Sequence, residues 1–337
     1  MIRLLPCVFA LTGCSLLVGP SNTGELDAAD TDQAAETVTS DAATEDLGVI
    51  DARAPAQVWD REDTAGPGAI GPGDLDLNTV YCSAPNDVYV GGSIRGVAHS
   101  TGGGKWTWTP QPTPFMGDVT AISGQAGEVF ALANGVFHLS AGKWSKTSAA
   151  IGKGHALWAA SASSLYLIDN SGALQHSSDG GTNFTTLFSN LQVKARALFV
   201  LPNDQFILGA SSGQVVRSDA GGKWIVEMVD ASAGINGVWA SAVNDLYAVG
   251  AGGAYHSTGN GQWDRLFVAD LSAVWGRSAD EVFVAGSKGL LMHFTRARGW
   301  KAEGPAVIVD FIRWTAFSGC GNEVFVSGTY GEVLHLK

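Results

Sequence analysis

The chain has 337 residues, 45% of them apolar and 15% charged, with a formal net charge of −12. That apolar content is enough for a sizeable core, and the acidic balance excludes the basic face that nucleic acid or an anionic lipid surface requires. The 44 glycines imply many tight turns, and the 11 tryptophans imply large packing units used repeatedly.

Taken in order, residues 1–13 read as an export signal. Arg3 supplies the charge, and the apolar run from Leu4 to Leu11 is too short to span a bilayer as a mature helix. Leu11-Thr12-Gly13-Cys14 resembles the lipobox of bacterial lipoproteins. That resemblance implies cleavage before Cys14 and lipid on its sulfur and new amino terminus; the alternative is an ordinary secretory peptide with an unrelated cysteine. Ser15 implies the outer membrane if the host is Gram-negative and sorts as enterobacteria do.

Residues 14–55 read as a disordered acidic tether. From Ser15 to Pro55 there is no aromatic residue, and nine acidic side chains face the single Arg53. Such a composition cannot bury enough apolar surface to offset the entropy of ordering. As a flexible coil it would reach on the order of 35 Å. The remaining domain, 56–337, carries 18 basic and 23 acidic residues, a net charge of −5 that is ordinary for a soluble surface.

The stretch from Gly234 to Val268 organises this domain. GVWAS, DLYAVG, AYHST and QWDRLFV are short runs of aromatic and β-branched residues bounded by Gly, Asn, Asp and Ser, the pattern of a four-stranded antiparallel meander. Near-copies recur. A fourth-strand aromatic stands at Trp59, Trp106, Trp144, Phe184, Trp224, Trp263 and Trp300, about 40 residues apart. A second-strand aromatic stands at Tyr89, Phe130, Tyr166, Phe206, Tyr247, Phe283 and Phe325. Eight residues before each, in the first strand, are Tyr81, Ile122, Trp158, Leu198, Trp239, Trp275 and Phe317. Three columns of seven predict an all-β, seven-bladed β-propeller in one domain. The last copy has only three strands, and an orphan fourth strand, Ala56 to Asp60, precedes the first copy. The N-terminal strand is therefore expected to complete the C-terminal blade and so remove the open edges.

Cys7 falls in the signal and Cys14 takes the lipid, leaving Cys82 and Cys320. Both follow the first-strand aromatic, in blades 1 and 7, which meet across the closure. In an exported protein these positions predict a disulfide clasp, with two buried thiols as the alternative. Six histidines, His99, His138, His176, His256, His293 and His335, share the third-strand position, with Arg217 in the remaining copy. Equivalent positions round a ring lie too far apart for one metal ion, so these residues are expected to be structural, and no metal or cofactor is predicted. The recurring pairs Asn86-Asp87, Asn203-Asp204, Asn244-Asp245, Asp280-Glu281 and Asn322-Glu323 are expected to close turns through side-chain-to-backbone hydrogen bonds.

Ser177-Ser178-Asp179-Gly180-Gly181-Thr182-Asn183-Phe184 resembles the Asp-box (BNR) motif, with a partial copy at Asp219 to Trp224. The array is similar to sialidase-type and photosystem-assembly-factor-like propellers, and to secreted bacterial repeat lipoproteins with V-W-x-S-x-x-D-[VL]-[YFW]-[AV]-V-G blades. That resemblance implies a propeller and says little about function. Sialidase chemistry would need three arginines round a carboxylate and a Tyr/Glu pair, a placement not evident for Arg95, Arg196, Arg265, Arg277 or Arg313. No H-E-x-x-H, phosphate loop or quinone-docking repeat is present.

The expectation is a monomeric, membrane-anchored, non-catalytic binding or assembly scaffold of the cell envelope, its partner an envelope protein or a glycan. The alternatives are a glycan-binding or sialidase-like propeller and an assembly factor for an envelope protein complex. Loops entering the first strands converge on the central channel, and they nominate Asn78, Asp118, His155, Arg196, Asn236, Ser272 and Arg313 as candidate binding residues. The apolar connection TWTPQPTPFMGD nominates Trp108, Phe115 and Met116 as a protein contact.

Overall fold

A computed structural model describes residues 58–337, apart from 63, 65–75, 94–95, 110–113, 116, 149–150, 191 and 305–309. The expected signal and tether lie outside the described residues, as do Arg95 and Met116.

The 28 strands of the described residues, β1 to β28 in chain order, form seven four-stranded antiparallel sheets. Six sheets are built from four consecutive strands. The seventh has the order β1-β28-β27-β26, so β1 (Trp59–Glu62) pairs with β28 (Val333–Leu336) and joins the two ends of the domain. The seven-bladed propeller closed by an N-terminal strand is as expected. Its outermost strand is described from Trp59, and Ala56 and Gln57 lie outside the described residues.

The second strand of each blade is the core element. DVYVGG, EVFALA, QFILGA, DLYAVG, EVFVAG and EVFVSG share one pattern, a half-buried first residue followed by five buried ones. Both faces of such a strand pack on neighbours, which is why it reads as a continuous apolar run instead of an alternation. Each fully buried Val, Leu or Phe there contributes about 1.5–3 kcal/mol. The terminal glycine of this strand has a steric cause. A Cβ at Gly92, Gly250 or Gly286 would sit 2.0 Å from the carbonyl oxygen of Asp76, Gly234 or Asp270, where the chain enters the first strand of the same blade.

The first-strand aromatics wedge between blades. Trp239 reaches so far into blade 6 that a Cβ at Gly276 would lie 2.5 Å from its ring, and Trp275 does the same to Gly319 of blade 7 at 2.3 Å. The third-strand histidines stack on the second-strand aromatic of their own blade, with ring centroids 4.0 Å apart for Phe283–His293 and Phe325–His335 and 4.3 Å for Tyr89–His99. Their nitrogens meet the acidic residue that opens the second strand: His99 Nε2 lies 2.7 Å from Asp87 Oδ1 and His256 Nε2 lies 2.8 Å from Asp245 Oδ1. The histidines are structural, as expected. The acidic member of the Asn/Asp pair departs from expectation, because in these blades its carboxylate serves the histidine and does not close the turn.

Closure is reinforced around blade 7. Cys82 and Cys320 form a disulfide across 238 residues of sequence, with Cα atoms 5.7 Å apart. A loop of that length corresponds to about 5 kcal/mol of lost unfolded-state entropy. Beside it, Thr315 Oγ1 donates to Leu77 O at 2.7 Å, and Cys82 N donates to Ser318 Oγ at 2.9 Å. A W-x-x-E sequence recurs in three outer strands as Trp59–Glu62, Trp224–Glu227 and Trp300–Glu303. Its glutamate joins two blades. Glu62 takes the Nε1–H of Trp106 in blade 1 at 2.9 Å and bonds His335 Nδ1 at 3.0 Å. Glu303 takes the Nε1–H of Trp59 at 3.2 Å and bonds His293 Nδ1 at 2.9 Å. Glu227 takes the Nε1–H of Trp263 and the Nε–H of Arg217.

Candidate functional site

The first strands of the blades, β2 (Leu77–Ala84), β6 (Ala121–Gln125), β10 (Gly154–Ala159), β14 (Ala195–Leu201), β18 (Ile235–Ala242), β22 (Leu271–Ser278) and β26 (Trp314–Cys320), surround a central channel of about 430 Å³. Six of them carry a bulge at their second residue, where the pairing register slips. The bulged residues are Asn78, His155, Arg196, Asn236, Ser272 and Thr315, and in blade 2 Thr120 stands just before β6; all seven line the channel. A bulge leaves its residue unpaired and re-aims the side chain, which here makes a ring of seven polar groups at one mouth.

Five nominated residues are in this ring, and two are not. Asp118 and Arg313 each fall two positions short of the ring residue, Thr120 and Thr315. The cause is local. Blades 1, 5 and 6 have a second bulge near the end of the first strand, whereas blades 2, 3, 4 and 7 have none. In blades 2 and 7 Phe130 pairs with Ser123 and Phe325 with Ser318, one residue later than an eight-residue count gives, which accounts for one of the two positions. The other arises because Asp118 and Arg313 lie four residues before Ile122 and Phe317, whereas the ring residue lies three before its column in blades 1, 3, 5 and 6. Asp118 is exposed outside the ring. Arg313 reaches the mouth from its lip, donating from Nε to Ser272 Oγ at 2.8 Å, with Asp270 3.7 Å away.

The ring residues differ in what they are free to do. Asn78 Nδ2 donates to Val119 O at 3.1 Å and Asn236 Nδ2 to Leu271 O at 2.9 Å, each fastening its blade to the next. Thr315 does the same across the closure. His155 and Arg196, on adjacent blades 3 and 4, are exposed, and Lys153 and Lys194 stand two residues before them, also exposed. None of these four side chains has an ion-pair partner among the described residues. Partial desolvation at the channel wall, and then the neighbouring Arg196 guanidinium, push the His155 imidazole below its usual pKa, with Asp169 opposing them. Asp169 itself is occupied. Burial raises its carboxyl, but hydrogen bonds from Ser171, Gln175 and the Ala173 amide outweigh that and hold it below the usual range. The described residues lining the channel include no Asp or Glu, so the carboxylate pair of a glycosidase is not assembled there. Toward its other end the channel is lined by half-buried Tyr81, Trp158, Trp275 and Phe317.

Trp108 and Phe115 do not form an exposed contact. Phe115 is 6% exposed and packs against Phe137 and Trp144, with ring centroids at 4.8 and 5.4 Å, sealing blades 1 and 2. Trp108 is half-buried, and its Nε1–H donates to Thr64 O at 3.0 Å. The apolarity of that connection reflects core packing. Lys153 and Lys194 were not nominated; the signal that could have found them is a basic residue two before the bulge in consecutive blades.

No protein-family model matches the chain, and no curated protein matches it. Solved structures do. YCF48 bound to D1 peptide is similar with a TM-score of 0.67 at 16% identity, over 82% of this chain and 94% of that one. YCF48 from Cyanidioschyzon merolae is similar with a TM-score of 0.66 at 14% identity, over 84% and 98%. A catalytically inactive virginiamycin B lyase from Staphylococcus aureus with quinupristin has a TM-score of 0.65 at 10% identity, over 83% and 99%. At such identities the likeness establishes the propeller fold, and a lyase among the neighbours means that the fold by itself does not decide catalysis.

Proposed function

We propose that this chain is a non-catalytic binding propeller that holds a segment of a partner protein at the channel mouth, against blades 3 and 4. The observation that carries the reading is that His155 and Arg196 line the channel on adjacent blades without ion-pair partners among the described residues, with exposed Lys153 and Lys194 two residues before them, in a domain whose net charge is −5. Cations left without partners on an otherwise acidic surface suit a carboxylate-bearing peptide. The similarity to a propeller solved with a bound peptide supports a peptide as the ligand class.

In the same reading the domain hangs from a lipid-modified Cys14 by the 14–55 tether, outside the cytoplasm and on the outer membrane, with an envelope protein as its partner. The lipobox-like tetrapeptide and the composition of the tether support this. Intact-mass measurement of the membrane-extracted protein tests it, since an unmodified Cys14 would remove the anchor.

The binding test compares the intact lipoprotein with a Lys194→Ala/Arg196→Ala variant as bait in detergent-solubilised membranes. A partner held by the first and lost by the second is the expected result; identical capture by both overturns the reading. Binding should weaken as salt rises and tighten as pH falls through the depressed His155 pKa, where the mouth gains a positive charge. The half-buried aromatics lining the channel favour a glycan as the second reading. Saturable binding of neutral oligosaccharides, indifferent to Arg196→Ala, would select it.

A further inference from the structure

Each blade ends in an outer strand with one edge unpaired among the described residues. Such edges invite pairing with another chain unless charge or brevity blocks it. Four of the seven carry exposed charged side chains: Asp60 and Arg61 on β1, Lys143 and Lys146 on β9 (Lys143–Ser148), Asp264 and Arg265 on β21 (Asp264–Phe267), and Lys301 on β25 (Gly299–Glu303). β5 (Trp106–Trp108) is only three residues long, and β13 (Thr185–Phe188) is four long and exposes two threonines. β17 (Trp224–Met228) has neither safeguard. Its five residues, WIVEM, hold one charge, and that carboxylate is turned inward onto Arg217 and Trp263, leaving Glu227 6% exposed. What β17 shows to solvent is Val226, 45% exposed, and Met228, 53% exposed.

The backbone of β17 fits a copy of itself. Lys223 O accepts from Asp219 N at 2.9 Å and Val229 N donates to Gly213 O at 3.0 Å, both toward the neighbouring strand β16 (Gln214–Ser218). Backbone direction alternates along a strand, so Trp224, Val226 and Met228 turn their N–H and C=O groups outward. An antiparallel partner centred on Val226 sets this valine opposite its own copy and Trp224 opposite Met228, each pair exchanging two hydrogen bonds. The three residues share one face of the sheet, so the apolar side chains of both copies cover each other.

The ends of the strand select both the direction and the occupant. Lys223, exposed and without an ion pair among the described residues, stands just before it. Asp230, which hydrogen bonds from Ser232 and Tyr255 hold ionised, stands two residues after it. Antiparallel pairing brings the lysine of one copy beside the aspartate of the other, whereas parallel pairing would set lysine beside lysine. A two-fold contact makes this charge pair at both ends.

We infer that β17 is a self-association edge: two copies of this chain pair it antiparallel about a two-fold axis at Val226, joining blade 4 of each into one continuous sheet. Leu187 on β13, with Leu266 and Val268 on and just after β21, adds exposed apolar surface on the flanking blades. One strand pair buries less than the roughly 1,200 Å² of a stable interface, so the contact is weak and the dilute chain is monomeric. The edge lies on an outer strand, away from the first strands that line the channel, and does not rest on the function proposed for the mouth.

The test is disulfide trapping of the intact chain in its membrane, with the wild type as background. Opposite residues of a hydrogen-bonded pair stand about 5.5 Å apart at Cα, within the span of a disulfide. Val226→Cys should therefore give a covalent dimer of two identical chains on mild oxidation, at least about fivefold above the wild type. Met228→Cys, about 13 Å from its own copy in this register, and Leu266→Cys on blade 5 should stay at background. Sedimentation equilibrium of the detergent-solubilised chain should show a monomer–dimer equilibrium, which Val226→Lys weakens at least about tenfold without lowering the thermal midpoint. Equal trapping at positions 226 and 266, or a wild type that stays monomeric up to about 100 µM, overturns the proposal. Cross-linking of the Val226→Cys chain to a different protein overturns the second copy as the occupant, and trapping at 228 as strong as at 226 overturns the register.

Discussion

The interfaces that flank blade 7 and the interface between blades 3 and 4 are built from the same columns and held differently. At 6/7 and 7/1 a tryptophan of one outer strand donates to a glutamate of the preceding one, and that glutamate continues to a stacked histidine. At 3/4 the place of that glutamate is taken by Leu187, 40% exposed, and Trp224 packs against Phe188 and Phe206 at 4.7 and 5.9 Å. Blades 3 and 4 are joined by continuous chain, whereas blade 7 borrows β1 from the other end of the domain, and loop closure over that distance opposes it. The relay also joins the continuous pair 4/5 through Glu227 and Trp263, so connectivity alone does not place it; the disulfide is the device confined to the closure, and interface 3/4, beside the unpaired cations of the mouth, has neither.

The largest test of this comparison is the clasp. Cys82→Ser with Cys320→Ser, or reduction of the wild type, should cost about 5 kcal/mol in the chain-entropy model, read as a fall in the urea midpoint. Next comes the relay. Glu62→Ala leaves the Trp106 Nε1–H and His335 without their acceptor and should cost about 3 kcal/mol, whereas Leu187→Ala at the corresponding place in blade 3 should cost under about 1 kcal/mol. Equal losses at the two sites would dissolve the distinction.

The smallest effect is acid sensitivity on the blade 3 to 5 side. Asp179 is lowered to about 2 by the Asn183 amide, the Asn183 side chain and the Ser177 hydroxyl. Asp230 is lowered to about 2 by Ser232 and Tyr255. Both folded-state values lie below the ordinary 3.8. Their stabilisation is thus complete above that pH and is lost as pH falls from there through about 2. Asp179→Asn and Asp230→Asn should each flatten the acid limb of a stability–pH profile between pH 4 and 2.

Much of the fold was legible. The second-strand aromatics are buried on both faces in every blade, so their spacing passes directly into sequence, and the orphan strand at Trp59 announced the closure. The site was legible only in part. His155 and Arg196 were found because the loops entering the first strands end there, but Asp118 and Arg313 were misplaced in part by a one-residue difference in pairing register that leaves no compositional trace. Phe115 read as exposed because a loop sequence does not reveal that its aromatic ring turns inward. The relay glutamates passed unnoticed because W-x-x-E acquires meaning only when the next blade brings its tryptophan within reach.

The amino-acid order alone determined the number of blades and the strand exchange that closes them, since both follow from residues recurring at a set interval along the chain, and it put Cys82 and Cys320 in the two blades that meet at the closure. Only the tertiary structure decided which polar side chains at the mouth fasten neighbouring blades and which stand unpaired. Those outcomes depend on hydrogen bonds between residues some forty or more than two hundred positions apart, which one-residue register slips can make or abolish.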